Sequence, residues 1–383
     1  MIIFLFVMLF FLIGIGFSIW TAMGVSGLIF ILLKGDFSLR ILVQSMVGGI
    51  DSDTLVAIPF FIFVGKLMGR FRGGLAYVSI LVSFIMAGVS GSAVADASSV
   101  SAVLHPLMRE RGYDDQFAAA INSSSAVIGP IFPPSIPMIF ISVISGLSLG
   151  RLFLGGVVPG IMMAIFLTVM VAFVCRKKDY KVVKTRMSLG RLLSLLKDSI
   201  FALIGPLVII GGIVFGVVTL VEVAVLAVFS ASIMVIFAVV GLYQYIVATE
   251  QLGDQLLIMI QRMAMGKGLF LLFSTVFFLL MGCVLDAVPV MLIFFPVLLP
   301  IAVSLGIDPT HYGVIVVLNL MIGLLTPPIG GILFIQTKIA GLDFNTLVRA
   351  IWPYTLTLIA VLLIITYVPD LVTFVPNLVF GGG

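Results

Sequence analysis

Charge is scarce in this sequence. Only 9% of its 383 residues are charged, whereas 62% are hydrophobic, and the mean hydropathy is +1.35. About a quarter of the residues are charged in an ordinary soluble domain, so the composition excludes that class. A membrane-spanning helix needs about 20 apolar residues, and the chain supplies runs of this length or somewhat less along most of its length. We therefore predict an all-α polytopic membrane protein.

Histidine and cysteine are scarce as well, with two residues of each. The cysteines are far apart in apolar surroundings, which indicates neither a disulfide framework nor a metal site. Two histidines do not suffice for a zinc or haem site, so we expect no cofactor. The net charge of +4 comes from basic residues in loops, which orient a membrane protein and do not indicate binding of nucleic acid.

The stretch 112–137 is the most informative part of the chain. Two adjacent prolines remove two backbone donors and clash with the preceding turn, so a helix must break here. Bare carbonyls are tolerated at membrane depth only where they line a cavity or lie inside protein, which makes the break a candidate binding site. Its polar and helix-breaking residues are Asn122, Ser123, Ser124, Ser125, Gly129, Pro133 and Pro134.

The same pattern occurs a second time, at 306–328. In addition, Asp96 and Asp286 each lie ten residues before a proline. These coincidences predict an internal repeat, the alternative being chance, because glycine and proline are common in membrane helices. A constant offset of 194 residues matches Gly112 with Gly306, Asp114 with Asp308, Gly129 with Gly323, Pro133 with Pro327 and Pro134 with Pro328.

A re-entrant hairpin is predicted before each broken helix, at residues 73–112 and 266–306. An apolar arm of about 13 residues reaches only about 20 Å, which is less than the hydrocarbon core of about 30 Å. Broken helices then occupy 113–148 and 307–340. The hairpin arms are 75–87 and 100–108 around a small, polar tip at 88–99, and 269–280 and 291–305 around a tip at 281–289.

Basic residues predict the orientation of these two units. The first unit carries Arg109 and Arg111 at its base and is followed by a basic loop at 176–198, whereas the second has Lys338 and Arg349 at its far end. The units should therefore lie inverted across the membrane. Inversion requires an odd number of intervening crossings, but we predict four, made by the broken helix and by helices near 157–174, 201–218 and 223–245.

Either one of these crossings is misassigned, or the chain lacks a crossing just before Gly266. The sequence changes abruptly at 263–266, just before the second hairpin, and we expect that a crossing is missing there. The junction at 70–71 is similarly abrupt.

Inverted repeats with broken helices are the plan of a secondary transporter. Half-helix N-termini suit an anionic substrate, and unwound carbonyls suit Na⁺. For Asp96 and Asp286 the alternative to a role near an ion is helix capping, and for Asn122 and Asn319 it is hydrogen bonding between helices. The predicted sodium ligands lie among Ser90, Ser92, Asp96, Asp286 and Thr326.

The segments GVSGSAVADASSV (88–100) and RGYDDQFAAAINSSSAVIGPIFPPSIPM (111–138) resemble the large membrane subunit of tripartite ATP-independent periplasmic (TRAP) transporters. AIPFFIFVGKLM (57–68) and residues 306–341 carry the same resemblance. It implies a multi-pass protein of the bacterial inner membrane and a Na⁺-coupled, elevator-type importer. A small membrane subunit would accompany it, and a periplasmic substrate-binding protein would deliver an organic acid such as sialic acid or a C4-dicarboxylate.

The resemblance also implies a division of the chain. Helices at 1–53, 151–265 and 343–383 would form a scaffold in the membrane lipid, and 54–150 and 266–342 the two halves of a transport domain. The chain departs from the family pattern at 70–71 and before Gly266, where further segments are usual, and at Leu220 and Val221, where proline and threonine are usual. The implied sodium and substrate site comprises Gly88, Ser90, Gly91, Ser92, Asp96, Asn122, Ser123, Ser124, Gly129, Pro133, Pro134, Gly282, Asp286, Asn319, Gly323, Thr326, Pro327 and Pro328.

Three other functions are compatible with parts of this pattern. A stand-alone divalent-anion/Na⁺ symporter would use the same site without a periplasmic protein. A channel would require a continuous polar pore, whereas the polar residues cluster at two tips. An intramembrane aspartyl protease could use Asp96 and Asp286 as a catalytic pair, but neither residue lies in a GxGD-like context.

Overall fold

The computed structural model describes residues 73–178, 180 and 266–381, together with the isolated residues 7, 8, 11, 12 and 26. This part of the chain contains eleven α-helices and no β-strand. Several predicted features lie outside the described residues: most of the helices within 1–53, those near 201–218 and 223–245, most of the loop 176–198, and the two abrupt junctions.

The described helices fall into two halves with the same order of elements. Two helices separated by a two-residue turn are followed by a broken helix and then by a long helix. The first half consists of α1 (Gly74–Ser90), α2 (Ala93–Glu110), α3 (Asp115–Ala126), α4 (Ile136–Ser145) and α5 (Leu149–Lys177). The second consists of α6 (Lys267–Val284), α7 (Ala287–Ser304), α8 (Pro309–Gly323), α9 (Gly331–Ala340) and α10 (Phe344–Tyr367), followed by α11 (Asp370–Phe380).

Four described helices, α5, α6, α7 and α10, are long and apolar enough to cross a membrane. They confirm the prediction of an all-α, multi-pass membrane protein. The breaks in the two broken helices also fall where the paired prolines predict them, and the Pro133-Pro134 and Pro327-Pro328 peptide bonds are both cis.

Helices α3 and α8 form the centre of the described core. Nearly every residue of both is buried, from Phe117 in α3 and from Thr310 in α8. A helix that is enclosed all round must satisfy neighbours on every side. In α3 this is achieved by alanines and serines, whose small side chains let neighbouring backbones approach closely.

The two halves exchange contacts in a matched way. Within each half the hairpin helices pack on the first segment of the broken helix, α1 and α2 on α3, and α6 and α7 on α8. Between the halves, α4 packs on α7 and α9 packs on α2. The long helices also pack across the halves: α5 of the first half packs on α8, and α10 of the second half packs on α3.

Backbones approach closely where α6 crosses the end of α8. A Cβ added at Gly323 would lie 2.7 Å from the Cα of Gly282, and one added at Gly282 would lie 2.8 Å from the carbonyl oxygen of Leu320. Neither glycine therefore has room for a side chain. This contact joins the second hairpin to the second broken helix just before its break.

The predicted extent of the hairpin tips is wrong. Only Gly91 and Ser92 interrupt the first hairpin, and only Leu285 and Asp286 the second. Small polar residues are typical of a loop, but the hydroxyls of Ser98 and Ser99 donate to carbonyls one turn earlier. Their hydrogen-bonding groups are thereby satisfied within a helix. Proline is tolerated in the first turn of a helix, so α7 begins before Pro289 and not after it.

The arms are consequently longer than predicted. The first hairpin has 17 residues in α1 and 18 in α2, so the expectation of half-length arms is wrong for it. Both α6 and α7 have 18 residues and the length to cross a membrane. The helix predicted near 157–174 extends over Leu149–Lys177. The described residues after 342 form two helices, α10 and α11, and α10 begins at an Asp343 cap.

The glycine contact predicts a specific loss of stability. Gly323→Ala should push α6 and α8 apart and cost about 1–3 kcal/mol, as overpacking of a close contact does. Thermal unfolding in detergent should show a lower melting temperature.

Gly268→Ala in the same hairpin is the matched control. Nothing lies within 4 Å of that position, and alanine favours a helix by up to about 1 kcal/mol over glycine. Equal melting temperatures for the two variants would contradict the proposed contact.

Candidate functional site

The first hairpin turn lies against the first helix break. Gly91 has φ 58°, in the left-handed region, and a Cβ added there would come within 3.0 Å of the Pro134 carbonyl oxygen and the Ile136 amide nitrogen. Glycine is the residue that tolerates both this conformation and this approach. Ser92 then caps α2, its Oγ accepting from the Ala95 amide at 3.4 Å.

Asp96 lies beside the same break. It is completely buried in the first turn of α2, where the helix dipole favours a negative charge. A Cβ at Gly129, within the break, would overlap Asp96 Oδ2. Since Ser92 is the N-cap residue of α2, helix capping does not account for Asp96.

The segment between α3 and α4 contains Gly129, Pro133 and Pro134. It closes on itself through Ser135, whose hydroxyl donates to the Pro130 carbonyl and accepts from the Met138 amide at 3.2 Å. Ser135 is thereby the N-cap of α4. The break thus places the capped N-terminus of α4 close to the hairpin turn.

Asn122 belongs to a buried hydroxyl network between α1 and α3. Ser79 Oγ donates to Asn122 Oδ1 at 2.7 Å and lies 3.1 Å from Ser125 Oγ. Ser83 Oγ donates to the same Ser125 oxygen at 2.9 Å. Asn122 Nδ2 is buried without a hydrogen-bond partner among the described residues. Asn122 therefore joins α1 to α3, and its Nδ2 group is available to donate a hydrogen bond.

Two further predicted residues are accounted for by their own helix. Ser123 and Ser124 donate to the carbonyls one turn earlier, at 2.7 Å each, so their hydroxyl protons are used within α3. Gly88 and Ser90 lie in the last turn of α1.

The second hairpin is bonded to the second break. The Gly330 amide donates to the Cys283 carbonyl at 2.9 Å, and Cys283 Sγ lies 2.7 Å from Thr326 Oγ1. Thr326 in turn donates to the Gly323 carbonyl at 2.7 Å. The break between α8 and α9, which contains Pro327 and Pro328, is therefore held against the end of α6.

Asp286 and Asn319 differ in how they are satisfied. Asp286 is the N-cap of α7, and its carboxylate accepts from the Ala287 amide at 2.7 Å. Asn319 donates to the Ile315 carbonyl at 2.8 Å, but its Oδ1 is buried with no partner among the described residues. A buried acceptor without a partner costs about 1–3 kcal/mol, so Asn319 Oδ1 is available to a ligand.

Gln336 connects the two halves and was not predicted from the sequence. From α9 its Nε2 donates to the Ala97 carbonyl at 3.0 Å and to Ser101 Oγ. The contact lies one residue beyond Asp96 in α2, so the second broken helix supports the helix that carries this carboxylate. The sequence signals for the contacts of Gln336 and of Ser79 are the polar residues themselves, each within an apolar run.

The base of the first hairpin is held by charge. Lys178, just after α5, donates to Asp114 Oδ2, and the Tyr180 hydroxyl donates to the same oxygen at 3.1 Å. The hydrogen bond from Lys178 keeps the pKa of the Asp114 carboxyl below its usual value. Asp115 meanwhile contacts His105 at 3.1 Å and Arg109 at 3.6 Å.

The chemistry of the site is that of backbone and side-chain oxygens. Within the described ranges, no group of three or more His, Cys, Asp or Glu side chains could hold a metal ion. Four helix N-termini, those of α2, α4, α7 and α9, begin at the turns and breaks and carry partial positive charge. The ends of α1, α3, α6 and α8 contribute carbonyls, which suit a hard cation such as Na⁺.

Comparison with known proteins places these features in one family. Residues 6–236 and 229–371 match the family described as "Tripartite ATP-independent periplasmic transporter, DctM component". The chain is 33% identical to the sialic acid TRAP transporter large permease protein SiaM of Vibrio cholerae, with 93% of the chain and 94% of that protein covered.

Two further relatives have similar coverage. The 2,3-diketo-L-gulonate TRAP transporter large permease protein YiaN of Escherichia coli is 33% identical over 94% of the chain and 95% of its own length. The C4-dicarboxylate TRAP transporter large permease protein DctM of Pseudomonas aeruginosa is 32% identical over 93% and 94%. The match to SiaM extends over 401 residues, more than the 383 of this chain, so that relative contains residues without a counterpart here.

The ion pair at the hairpin base predicts a pH-dependent contribution to stability. Because the pKa of Asp114 is lowered in the folded protein, the contribution is present above the ordinary carboxyl pKa and lost as the pH falls through the folded value. The pair is about half exposed, so Asp114→Asn should cost no more than about 1 kcal/mol near pH 7.

Melting temperatures of wild type and Asp114→Asn, measured from about pH 7 down to about pH 3, test this. The two curves should converge at the acid end. A difference that persists unchanged at low pH would show that Asp114 does not act through its charge.

Proposed function

Because the chain belongs to the family of the DctM component of tripartite ATP-independent periplasmic transporters, we propose that it imports an organic acid by Na⁺-coupled secondary transport. A transporter permease performs no covalent chemistry on its substrate, which disfavours the aspartyl protease. The chain would function in the bacterial inner membrane. Its partners would be a small membrane subunit and a periplasmic substrate-binding protein.

One observation carries the proposal. Each hairpin turn lies against the helix break of its own half, through Gly91 and Pro134 in the first and through Cys283 and Gly330 in the second. Helix ends of both polarities therefore meet inside protein, beside a buried carboxylate at Asp96 and a free acceptor at Asn319. Such an arrangement suits an anion and Na⁺ together.

The matched contacts of the two halves support an inverted repeat. The same helix pairs touch in each half, and the exchanged pairs touch across them. Basic residues mark opposite ends, Arg109 and Arg111 at the base of α2 and Lys338 at the end of α9. In an elevator mechanism, the two hairpins and two broken helices would carry the site across the membrane against the remaining helices.

The substrate class follows from the relatives. Sialic acid, 2,3-diketo-L-gulonate and C4-dicarboxylates, which their names state, are all organic acids that carry a carboxylate. The N-termini of α4 and α9 carry partial positive charge, which suits such a group. We propose an organic acid of the sialic acid or C4-dicarboxylate class as the substrate.

Transport can be measured in proteoliposomes that contain the chain and its small subunit. Uptake of labelled sialic acid and succinate should require both an inward Na⁺ gradient and the periplasmic binding protein. Uptake that needs Na⁺ but no binding protein would instead indicate a stand-alone symporter. Uptake that is independent of Na⁺ would contradict the coupling.

The role of Asp286 can be separated from its role as a cap. Asparagine caps a helix as well as aspartate does, so Asp286→Asn keeps the bond to the Ala287 amide and removes only the charge. If the carboxylate attracts the coupling ion, Na⁺-driven uptake at limiting Na⁺ should fall roughly tenfold or more, since a bond to a charged group is worth about 1.5–3 kcal/mol.

Asp308→Asn is the matched control for this variant. Asp308 caps α8 in the same way, accepting from the His311 amide at 2.9 Å, but lies at the hairpin base and away from the breaks. Na⁺-driven uptake by the Asp308→Asn variant should remain within about twofold of wild type. Equal uptake by both variants would show that Asp286 acts only as a cap.

A further inference from the structure

An apolar groove of about 670 Å³ lies between α1 and α5. One wall is formed by α1, including Tyr77 and Phe84, and the other by α5, from Ile161 to Ala172. Ile165, on the α5 wall, is 54% exposed. The groove therefore opens on the surface of the described part and is distinct from the site at the breaks.

The two walls run antiparallel. At the start of α1, a Cβ added at Gly73 would overlap Cys175 Sγ near the end of α5. Tyr77 and Ala172 thus lie at one end of the groove, and Phe84 and Ile161 at the other. From Ile161 to Ala172 the helix rises about 16 Å, close to half of the hydrocarbon core of about 30 Å, which is the depth of one leaflet.

An aromatic ring from the first break packs behind the deep end of the groove. The rings of Phe84 and Phe132 lie 4.3 Å apart between centroids, and a Cβ added at Gly160 would come within 3.2 Å of the Phe132 side chain. Phe132 lies between α3 and α4. The deep end of the groove therefore lies next to the segment that forms the break.

The shallow end of the groove is basic. Arg176 lies one helical turn beyond Ala172 and on the same face of α5, and its charge interacts with the Tyr77 hydroxyl. Lys177 follows, and both residues are exposed. Among the described residues, Lys178 and Arg109 form ion pairs with carboxylates, whereas none is found for Arg176 or Lys177.

We propose that this groove binds one anionic phospholipid. An acyl chain would lie between α1 and α5 down to Phe132, and the phosphate would contact Arg176 and Lys177, with Tyr77 at the boundary. A basic pocket beside an apolar groove between membrane helices is the arrangement that recognises anionic headgroups. A zwitterionic lipid would fill the groove equally well but gain less from the two cations. The proposal does not depend on the transported substrate.

Native mass spectrometry of the detergent-purified full chain tests the site, with added phosphatidylglycerol or phosphatidylethanolamine as the probe. Phosphatidylglycerol should bind more tightly. Arg176→Gln with Lys177→Gln should weaken that binding about thirtyfold, because each basic residue near the surface contributes about one kilocalorie per mole. Lys338→Gln with Arg349→Gln removes the same charge elsewhere and should change it by less than about threefold.

A second pair of variants tests the groove without changing charge. Ala172→Trp fills it and should reduce bound lipid, whereas Leu356→Trp, at a position 58% exposed on α10, should not. Melting temperatures show that each variant is folded. Four results would overturn the proposal: equal binding of the two lipids, equal losses in both double variants, undiminished binding by Ala172→Trp, or no lipid bound to the wild type.

Discussion

A helix that breaks inside a membrane leaves backbone amides and carbonyls that hydrocarbon cannot satisfy. The described structure meets this constraint by placing a hairpin turn against each break. Gly91 fits against Pro134 and Ile136, and Cys283 bonds with Gly330 and Thr326. The polar ends are thus enclosed and partly satisfied by protein, so the contacts that stabilise the breaks also shape the candidate site.

Close packing of small residues makes this enclosure possible. Gly282 and Gly323 bring α6 and α8 into backbone contact, and Asn122 and Ser125 of α3 accept hydrogen bonds from α1. Gln336 then ties the second broken helix to the helix that carries Asp96. Because each half contacts the hairpin of the other, a rearrangement of one hairpin would change the packing of both halves. This interdependence is what a transporter that couples an ion to a substrate requires.

The breaks themselves could be predicted from the sequence, because paired prolines are local signals with a local effect. The two hairpins could also be predicted, because short apolar arms around a small tip are likewise a local signal. Their tips were drawn too long because Ser98 and Ser99 satisfy their hydroxyls within a helix, which composition alone does not reveal. Gln336 and Ser79 were missed because their partners are distant in the chain. The ion-binding role of Asp286 stays a prediction, since capping and ion binding use the same carboxylate, and that of Asp96 stays a prediction as well.

Inversion of the two halves is the central claim, and thiol labelling measures it directly. Glu110 and Ser304 occupy matching, exposed positions at the bases of the two hairpins, while both native cysteines are buried. Glu110→Cys and Ser304→Cys would each be exposed to a membrane-impermeant reagent in vesicles of known orientation. The account predicts labelling from opposite sides of the membrane, with Glu110→Cys on the cytoplasmic side. Labelling of both positions from the same side would contradict the inverted repeat and the transport mechanism built on it.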